Sequence, residues 1–344
     1  MLPNVSHPLD PLTTFCDVYQ LLRKQTTWWA DSAWLRFAAQ AAALSPANAH
    51  DTVQRIRATA DALSLTAPWY AALASPLRLV VGATLVQIGD TAEAFSAEVK
   101  AVRHLFRKAG LHLSGSPAIK AILAMRVISD SQPATAPAVE RLRLIFAQLK
   151  RRHWWLTGGE HVTACAILSQ CPLTPGELSV ISDGIYHQLL EHDYPRGSSL
   201  WAAATILPAL CLPAKQAASR FIALSEMVRA RFTGPWMVDG DALAMLCFLD
   251  HHTERIITRL EEVIDVLRGL EPVQFAEVNV HVAADLVFLD LVRFDTNMRM
   301  ITDMDEMGRV RALIRLQRAL SLLLVQVPST PVMVGGGRWP TTGL

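Results

Sequence analysis

Charge is scarce in this 344-residue chain: Asp, Glu, Lys and Arg together make up 18% of it, against roughly 25% in an average soluble domain. The charges also nearly cancel, with 32 basic against 31 acidic residues and a formal net charge of +1. No overall field draws polyanions to it, so nucleic acid is disfavoured as a partner. Long apolar runs are missing as well. Residues 77–88 are interrupted by Arg78 and residues 201–212 by Pro208, and neither approaches the roughly 18 residues of a membrane span. Residues 1–8 combine neither a basic segment nor an apolar run, so no secretory signal is expected there and the cytoplasm is the default location.

Signature motifs are equally sparse. The five cysteines (Cys16, Cys165, Cys171, Cys211, Cys247) form no CxxC, which argues against a zinc ribbon or a disulfide framework. Most sit among Ala, Leu and Ile, where a reduced thiol acts as a small hydrophobe. There is no HExxH, no paired ExxH, no GxSxG and no P-loop. The glycines Gly335, Gly336 and Gly337 lie near the end of the chain without a lysine or a following helix. Strand patterns are few. Residues 274–282 alternate briefly but continue without a turn into Ala283, Ala284, Asp285 and Leu286, so helix is preferred.

What the chain has is apolar periodicity cut by punctuation. Hydrophobic residues make up 51% of it and its mean hydropathy is +0.25. That calls for many internally packed helices, or for a partner covering part of the exterior, a homodimer included. Leu12, Phe15, Cys16, Tyr19 and Leu22 recur at helical spacing. Further helices are expected over 33–44, 49–63, 76–89, 90–109, 116–128 and 138–152. Beyond the central turn they continue to 171, then over 175–191, 199–212, 213–232, 240–250, 253–268, 272–294 and 305–325. Asp90 with Glu93 has capping-box spacing, and Thr174, Pro175, Gly176 and Glu177 give the clearest start signal. Asp239 or Asp241 is expected to cap the helix that follows. Trp28, Trp29, Trp34 and Trp69 are expected to wedge between helices.

Aligned on small, apolar and leucine positions, Leu85, Leu123, Leu168, Leu207 and Leu246 recur at intervals of about 40 residues, each interval holding two helices. The expected fold is therefore all-α, with divergent two-helix repeats stacked as an α/α superhelix or helical array. An N-terminal helical part (1–130) and a C-terminal helical-repeat part (137–326) are expected to pack as one continuous array. Residues 327–344 are read as a flexible tail.

In such an array the turns leading into the inner helices share one rim, and here they carry aromatic, histidine and charged residues. The candidate contact set is Arg152, His153, Trp154, Trp155, Thr157, Glu160 and His161 on one turn; His192, Asp193, Tyr194 and Arg196 on the next; and Trp236 and Asp239 on a third. Metal binding has two weaker candidates: His281 with Asp285, one helical turn apart, and the cluster Asp250, His251 and His252.

At Leu156-Thr157-Gly158-Gly159-Glu160-His161-Val162, followed by an alanine-rich helix, and again at Lys108-Ala109-Gly110-Leu111, the sequence resembles a bacterial family of unknown function catalogued as number 4003. That family tends to place consecutive acidic residues after the Leu-Thr-Gly element, whereas here Gly159 and His161 flank the single Glu160. The resemblance implies a bacterial, largely helical, soluble protein and supplies neither activity nor ligand. The residues themselves point to a cytoplasmic binding protein, a scaffold or adaptor for a protein partner or small ligand. The competing class is a metal- or cofactor-dependent enzyme with an interhelical pocket, using residues such as Glu160, His161, His192 and Asp193. No particular cofactor is identified by the sequence.

Overall fold

A computed structural model describes residues 10–25, 32–66, 76–152, 158, 161–234, 238, 240–270, 276–292 and 306–325. The described residues form fifteen α-helices and no strand. In chain order they are α1 (Pro11–Lys24), α2 (Ser32–Ala41), α3 (Ala49–Thr66), α4 (Leu77–Ile88), α5 (Ala92–Lys108), α6 (Gly115–Ile128), α7 (Ala136–Arg152) and α8 (Val162–Leu168). They continue with α9 (Pro175–Glu191), α10 (Ser198–Ile206, extended by a 3-10 turn Leu207–Leu210), α11 (Ala214–Arg231), α12 (Gly240–Leu246), α13 (Thr253–Arg268), α14 (Ala276–Val292) and α15 (Glu306–Leu324).

Odd and even helices differ in kind. The odd ones from α1 to α13 are amphipathic and bury one stripe: Phe15, Val18, Tyr19 and Leu22 on α1, and Ile256, Ile257, Leu260, Val263, Ile264 and Leu267 on α13. The even ones are apolar nearly all round. All seven residues of α8 and all seven of α12 are buried, as is the unbroken run Ala121–Val127 of α6. A helix hydrophobic on every side is stable in water only when other helices surround it.

The packing shows how that is achieved. Each odd helix contacts the next odd helix from α1 through α13, and each even helix contacts the next even helix from α2 through α14. The last inner helix, α14, then packs on α2 and α1, and Arg259 of α13 comes within 3.8 Å of Asp10 at the start of α1. The contacts thus trace an outer and an inner circuit, and the last helix pair meets the first. Leu85, Leu123, Leu168, Leu207 and Leu246 are all buried on or directly after inner helices.

Helix α15 lies inside the inner circuit, against α6, α8, α12 and α14. It runs antiparallel to α6: Arg315 pairs with Asp130, just past the end of α6, at 3.1 Å, while Lys120 near the start of α6 donates to the Val325 carbonyl at 3.0 Å. Two ends of the molecule follow from this order. Outer helices run into inner ones at the entry end, and inner helices run back out at the exit end, which is where α15 comes in.

Local signals behave as their chemistry requires, with one correction. Thr174 and Glu177 form the full capping box at the start of α9, and Gly89 ends α4 with φ +69°. Asp90 does not cap α5. Thr91 does, accepting from Ala94 N–H at 3.1 Å, because the Asp90 carboxylate is committed to the Arg126 guanidinium. Of the two candidate caps of α12, Asp241 lies within the helix and is buried, and Asp239 lies outside the described residues.

Arg126 is the main electrostatic brace of the first half of the chain. Its guanidinium holds Asp90 in a two-point pair and also contacts Glu98, whose other oxygen accepts the Ala134 N–H at 2.8 Å. All three side chains are nearly inaccessible, and the hydrogen bond to Asp90 holds the guanidinium charged against the opposing pull of burial. Arg126→Leu strands two buried carboxylates, and urea denaturation at pH 7 is expected to show a loss of about 3–5 kcal/mol. A loss below about 1 kcal/mol, the size of an exposed pair, would show that water already reaches these carboxylates.

Candidate functional site

The most concentrated chemistry among the described residues lies in the interior, where α2, α14 and α15 meet. Asp285 on α14 is fully buried. Gln40 of α2 donates to one of its oxygens; Gln317 and Ser321 of α15 donate to the other at 2.9 and 2.7 Å. Ser321 also accepts from Gln317 at 2.7 Å. Three donors drawn from two helices are what a carboxyl needs at a site that water does not solvate. Burial nevertheless pushes Asp285 up to about 7, against the lowering effects of Ser321, Gln317, the His281 charge and Gln40.

One turn earlier on α14, His281 is 2% exposed, and its Nε2 lies 3.9 Å from Asp241 of α12. Asn279 on the same helix is fully buried, and neither polar atom of its amide has a hydrogen-bond partner among the described residues. A polar thread therefore crosses the ring from α15 through Asp285 and His281 to α12. Beside it lies a cavity of about 20 Å³, lined in part by Phe37, Gln40, Thr84, Gln317, Arg318 and Ser321, roughly the space of one water. Arg318 meets Gln87 through its carbonyl at 3.5 Å and its side-chain oxygen at 3.3 Å, and burial lowers its pKa to about 10. A carboxyl that titrates near neutrality beside a histidine can hold or pass a proton. Among the described residues no three His, Cys, Asp or Glu side chains converge as a metal-binding group, and the hydrogen bonds to Asp285 come from two amides and a hydroxyl.

The rim residues are placed differently. Arg152 ends α7, exposed, and pairs with Asp183 of α9 at 2.9 Å. His161 is buried at the start of α8, its Nδ1 accepting from Gly158 N–H at 3.2 Å. His192 is exposed at the end of α9, with Nδ1 3.0 Å from the Gln188 carbonyl. Asp193 follows, exposed and in the left-handed region with φ 58°. Tyr194 is half-buried against α11: its ring is 5.3 Å from that of Phe221, and the Arg229 guanidinium stacks 4.1 Å from its centre. Burial pushes its phenol up to about 12 against the Arg229 charge. Arg196 is exposed.

His153, Trp154, Trp155, Thr157, Glu160, Trp236 and Asp239 lie outside the described residues, as do Trp28, Trp29 and Trp69. Of the other metal candidates, Asp250 faces Arg220 at 3.7 Å and His251 bonds the Leu291 carbonyl at 3.0 Å. Sequence reasoning paired His281 with Asp285 but missed Gln40, Gln317 and Ser321. The available signal was a carboxylate in the middle of a predominantly apolar helix.

The raised Asp285 makes stability depend on pH in a defined direction. Unfolded, the carboxyl ionises near 3.8; folded, it does so near 7. Between those values the native state keeps a proton that the unfolded chain has released, so stability from this group falls as pH rises across the window and is level above it. The full span is on the order of 4 kcal/mol. Asp285→Asn keeps the shape and removes the titration. The unfolding free energy of wild type minus that of Asp285→Asn is thus expected to fall steadily from pH 4 to 7. A flat difference would mean that the folded state already carries the carboxylate ionised.

Comparison with known proteins gives one assignment. No curated protein and no solved structure matches the chain. A family model described as Protein of unknown function (DUF4003) matches residues 18–319, most of the length, leaving out of the described helices only the first half of α1 and the last turn of α15. The chain is a member of that family.

Proposed function

We propose that this protein acts by binding, as a helical scaffold whose contact surface is the entry end, where α8, α10 and α12 begin. The carrying observation is the filled centre: α15 occupies the space between the inner helices and leaves about 20 Å³ beside the polar thread. Ligands of ordinary size use clefts of roughly 300–1,000 Å³. The entry-end turns, by contrast, present His192, Asp193 and Arg196 to solvent, with Arg152 beside them on the next outer helix. The tryptophans Trp154, Trp155 and Trp236 belong to the same set of turns by sequence, and aromatic and arginine side chains dominate binding hot spots. The occupant is a protein partner, a second copy of this chain included, or a small ligand seated among these side chains. A cytoplasmic location belongs to the same reading.

A second reading, an interhelical active site, is favoured by one observation: Asp285, titrating near 7, stands beside His281 and in line with Asp241. On that reading α15 moves aside to admit substrate.

Native mass spectrometry of the protein purified gently from its own host separates the two. Arg152→Glu with Arg196→Glu is expected to remove a co-purifying polypeptide, or to weaken its binding by at least about tenfold. The melting temperature should stay within about 2 °C of wild type, since both side chains are exposed. A bound small molecule that is retained in this double variant and lost in Asp285→Asn would overturn the rim reading in favour of the interior one.

A further inference from the structure

The small net charge of the chain hides a local excess. Residues 99–129 contain no Asp or Glu, and neither do residues 141–159. Lys100, His104, Arg107 and Lys108 recur at helical spacing along one face of α5, and all four are exposed. Lys150 and Arg151 are exposed in the last turn of α7, the outer helix that packs beside α5 and, like it, ends at the entry end. A hydrogen bond between the Thr66 and Ser96 hydroxyls at 2.8 Å brings the end of α3 to α5 one turn ahead of Lys100, and Leu65 there is 81% exposed. The exposed carboxylates Asp61, a turn before Leu65, and Glu93, two turns before Lys100, mark the edge of the patch.

Helix ends favour cations through the helix dipole, but that alone does not account for this face. The dipole acts within the last turn, whereas Lys100 stands two turns before the end of α5. Elsewhere on the outer circuit the cations at helix ends are met by carboxylates: Arg152 by Asp183 at 2.9 Å, Arg231 by Glu254 at 2.7 Å and Glu261 at 3.1 Å, Arg268 by Asp265 at 2.8 Å. Among the described residues Lys100, Arg107, Lys108, Lys150 and Arg151 have no carboxylate partner. Lys150 stands 6.0 Å from the Phe146 ring.

We propose that this face holds the protein against an anionic lipid surface, its five cations meeting headgroup phosphates and Leu65 reaching into the headgroup layer. The choice among polyanions rests on lysine and on that leucine. The chain has six lysines and places three of them here, although arginine is its usual cation. Protein interfaces are enriched in Arg and depleted in Lys, since the guanidinium fork suits a fixed partner while the ammonium is a mobile point charge. Mobile charges spread over two helices match an extended plane of negative potential. An apolar side chain beside them gains from entering the boundary between headgroups and acyl chains, whereas a nucleic acid duplex offers Leu65 no such layer. Each Lys or Arg near an anionic membrane strengthens binding by about fivefold, so five together amount to on the order of a thousandfold.

The test is flotation of the full chain with vesicles of phosphatidylcholine alone and with vesicles in which about a third of the lipid is phosphatidylglycerol. Wild type is expected to float with the anionic vesicles only, and to be released as salt rises from about 0.05 to about 0.5 M and screening shortens. Lys100→Glu with Lys108→Glu and Lys150→Glu should weaken that binding by at least about a hundredfold, with the melting temperature within about 2 °C of wild type because all three side chains are exposed. Leu65→Ser should weaken it by about fivefold and leave the salt dependence as it was. The idea is overturned if wild type floats with neither vesicle at low salt, if it floats equally with both, or if the triple variant binds as wild type does. Tighter binding to a duplex DNA than to the anionic vesicles at the same salt would overturn it too, and assign the face to nucleic acid. Arg152 and Arg196 are unaltered throughout and no protein partner is present, so the rim reading stands or falls separately.

Discussion

Seven inner helices set in a circuit leave a space along their common axis, and a space lined by alanine, valine and leucine cannot be left as a void. Protein interiors pack as densely as organic crystals, and empty volume costs the contacts its lining would have made. Helix α15 answers that constraint. Leu313, Ala319, Leu320, Leu322, Leu324 and Val325 are buried there, on or directly after the last helix among the described residues. The core therefore cannot be complete until the last turn of α15 is in place, and helices from both ends of the sequence depend on one another.

The polar seat of α15 follows from the same constraint. An apolar helix entering an apolar channel has nothing to set its depth or rotation, whereas Gln317 and Ser321 reach hydrogen-bonding distance of Asp285 at one register only. Arg315 on Asp130 and Lys120 on the Val325 carbonyl fix the two ends of the same helix. Burying a carboxyl is unfavourable in itself, as the displacement of Asp285 shows. A buried polar network of this kind specifies one arrangement among several of similar apolar content, a use attested for single buried polar residues in helical assemblies.

Much of this was legible in the residues, and the remainder was not for identifiable reasons. Local punctuation is written in short stretches: Thr174 through Glu177, Gly89 and Gly269 after α13 all sit where spacing puts them. Capping at Asp90 was misread because its competitor, Arg126, lies 36 residues away and on another helix. Of the two caps the sequence offers for α12, Asp241 falls inside the helix, near His281 forty residues on, and Asp239 lies outside the described residues. Contact of the last pair with the first and the seating of α15 are both long-range pairings, and a one-dimensional pattern does not encode which distant face finds which. For the candidate site the two parts differ. The rim was drawn from turn composition alone, whereas the interior thread needed three helices brought together before Asp285 acquired its amide and hydroxyl donors.

The weight given to the entry end rests on an energy comparison. Opening the centre to a substrate exposes at least Leu313, Leu320, Leu322, Leu324 and Val325, each buried to within a few per cent. At about 2 kcal/mol per side chain this is on the order of 10 kcal/mol, as large as the whole stability of a typical domain. A state that unfavourable is populated only if something else covers the released surface, and a polar substrate of ordinary size covers little of it. The entry-end turns need no such opening: Arg196, His192 and Asp193 are already in solvent on a rigid frame, and contacts made there cost only the ordering of a few side chains. Binding at the rim is thus the use of this architecture that asks least of it, and the interior carboxyl is accounted for by the seating of α15 without assigning it a reaction.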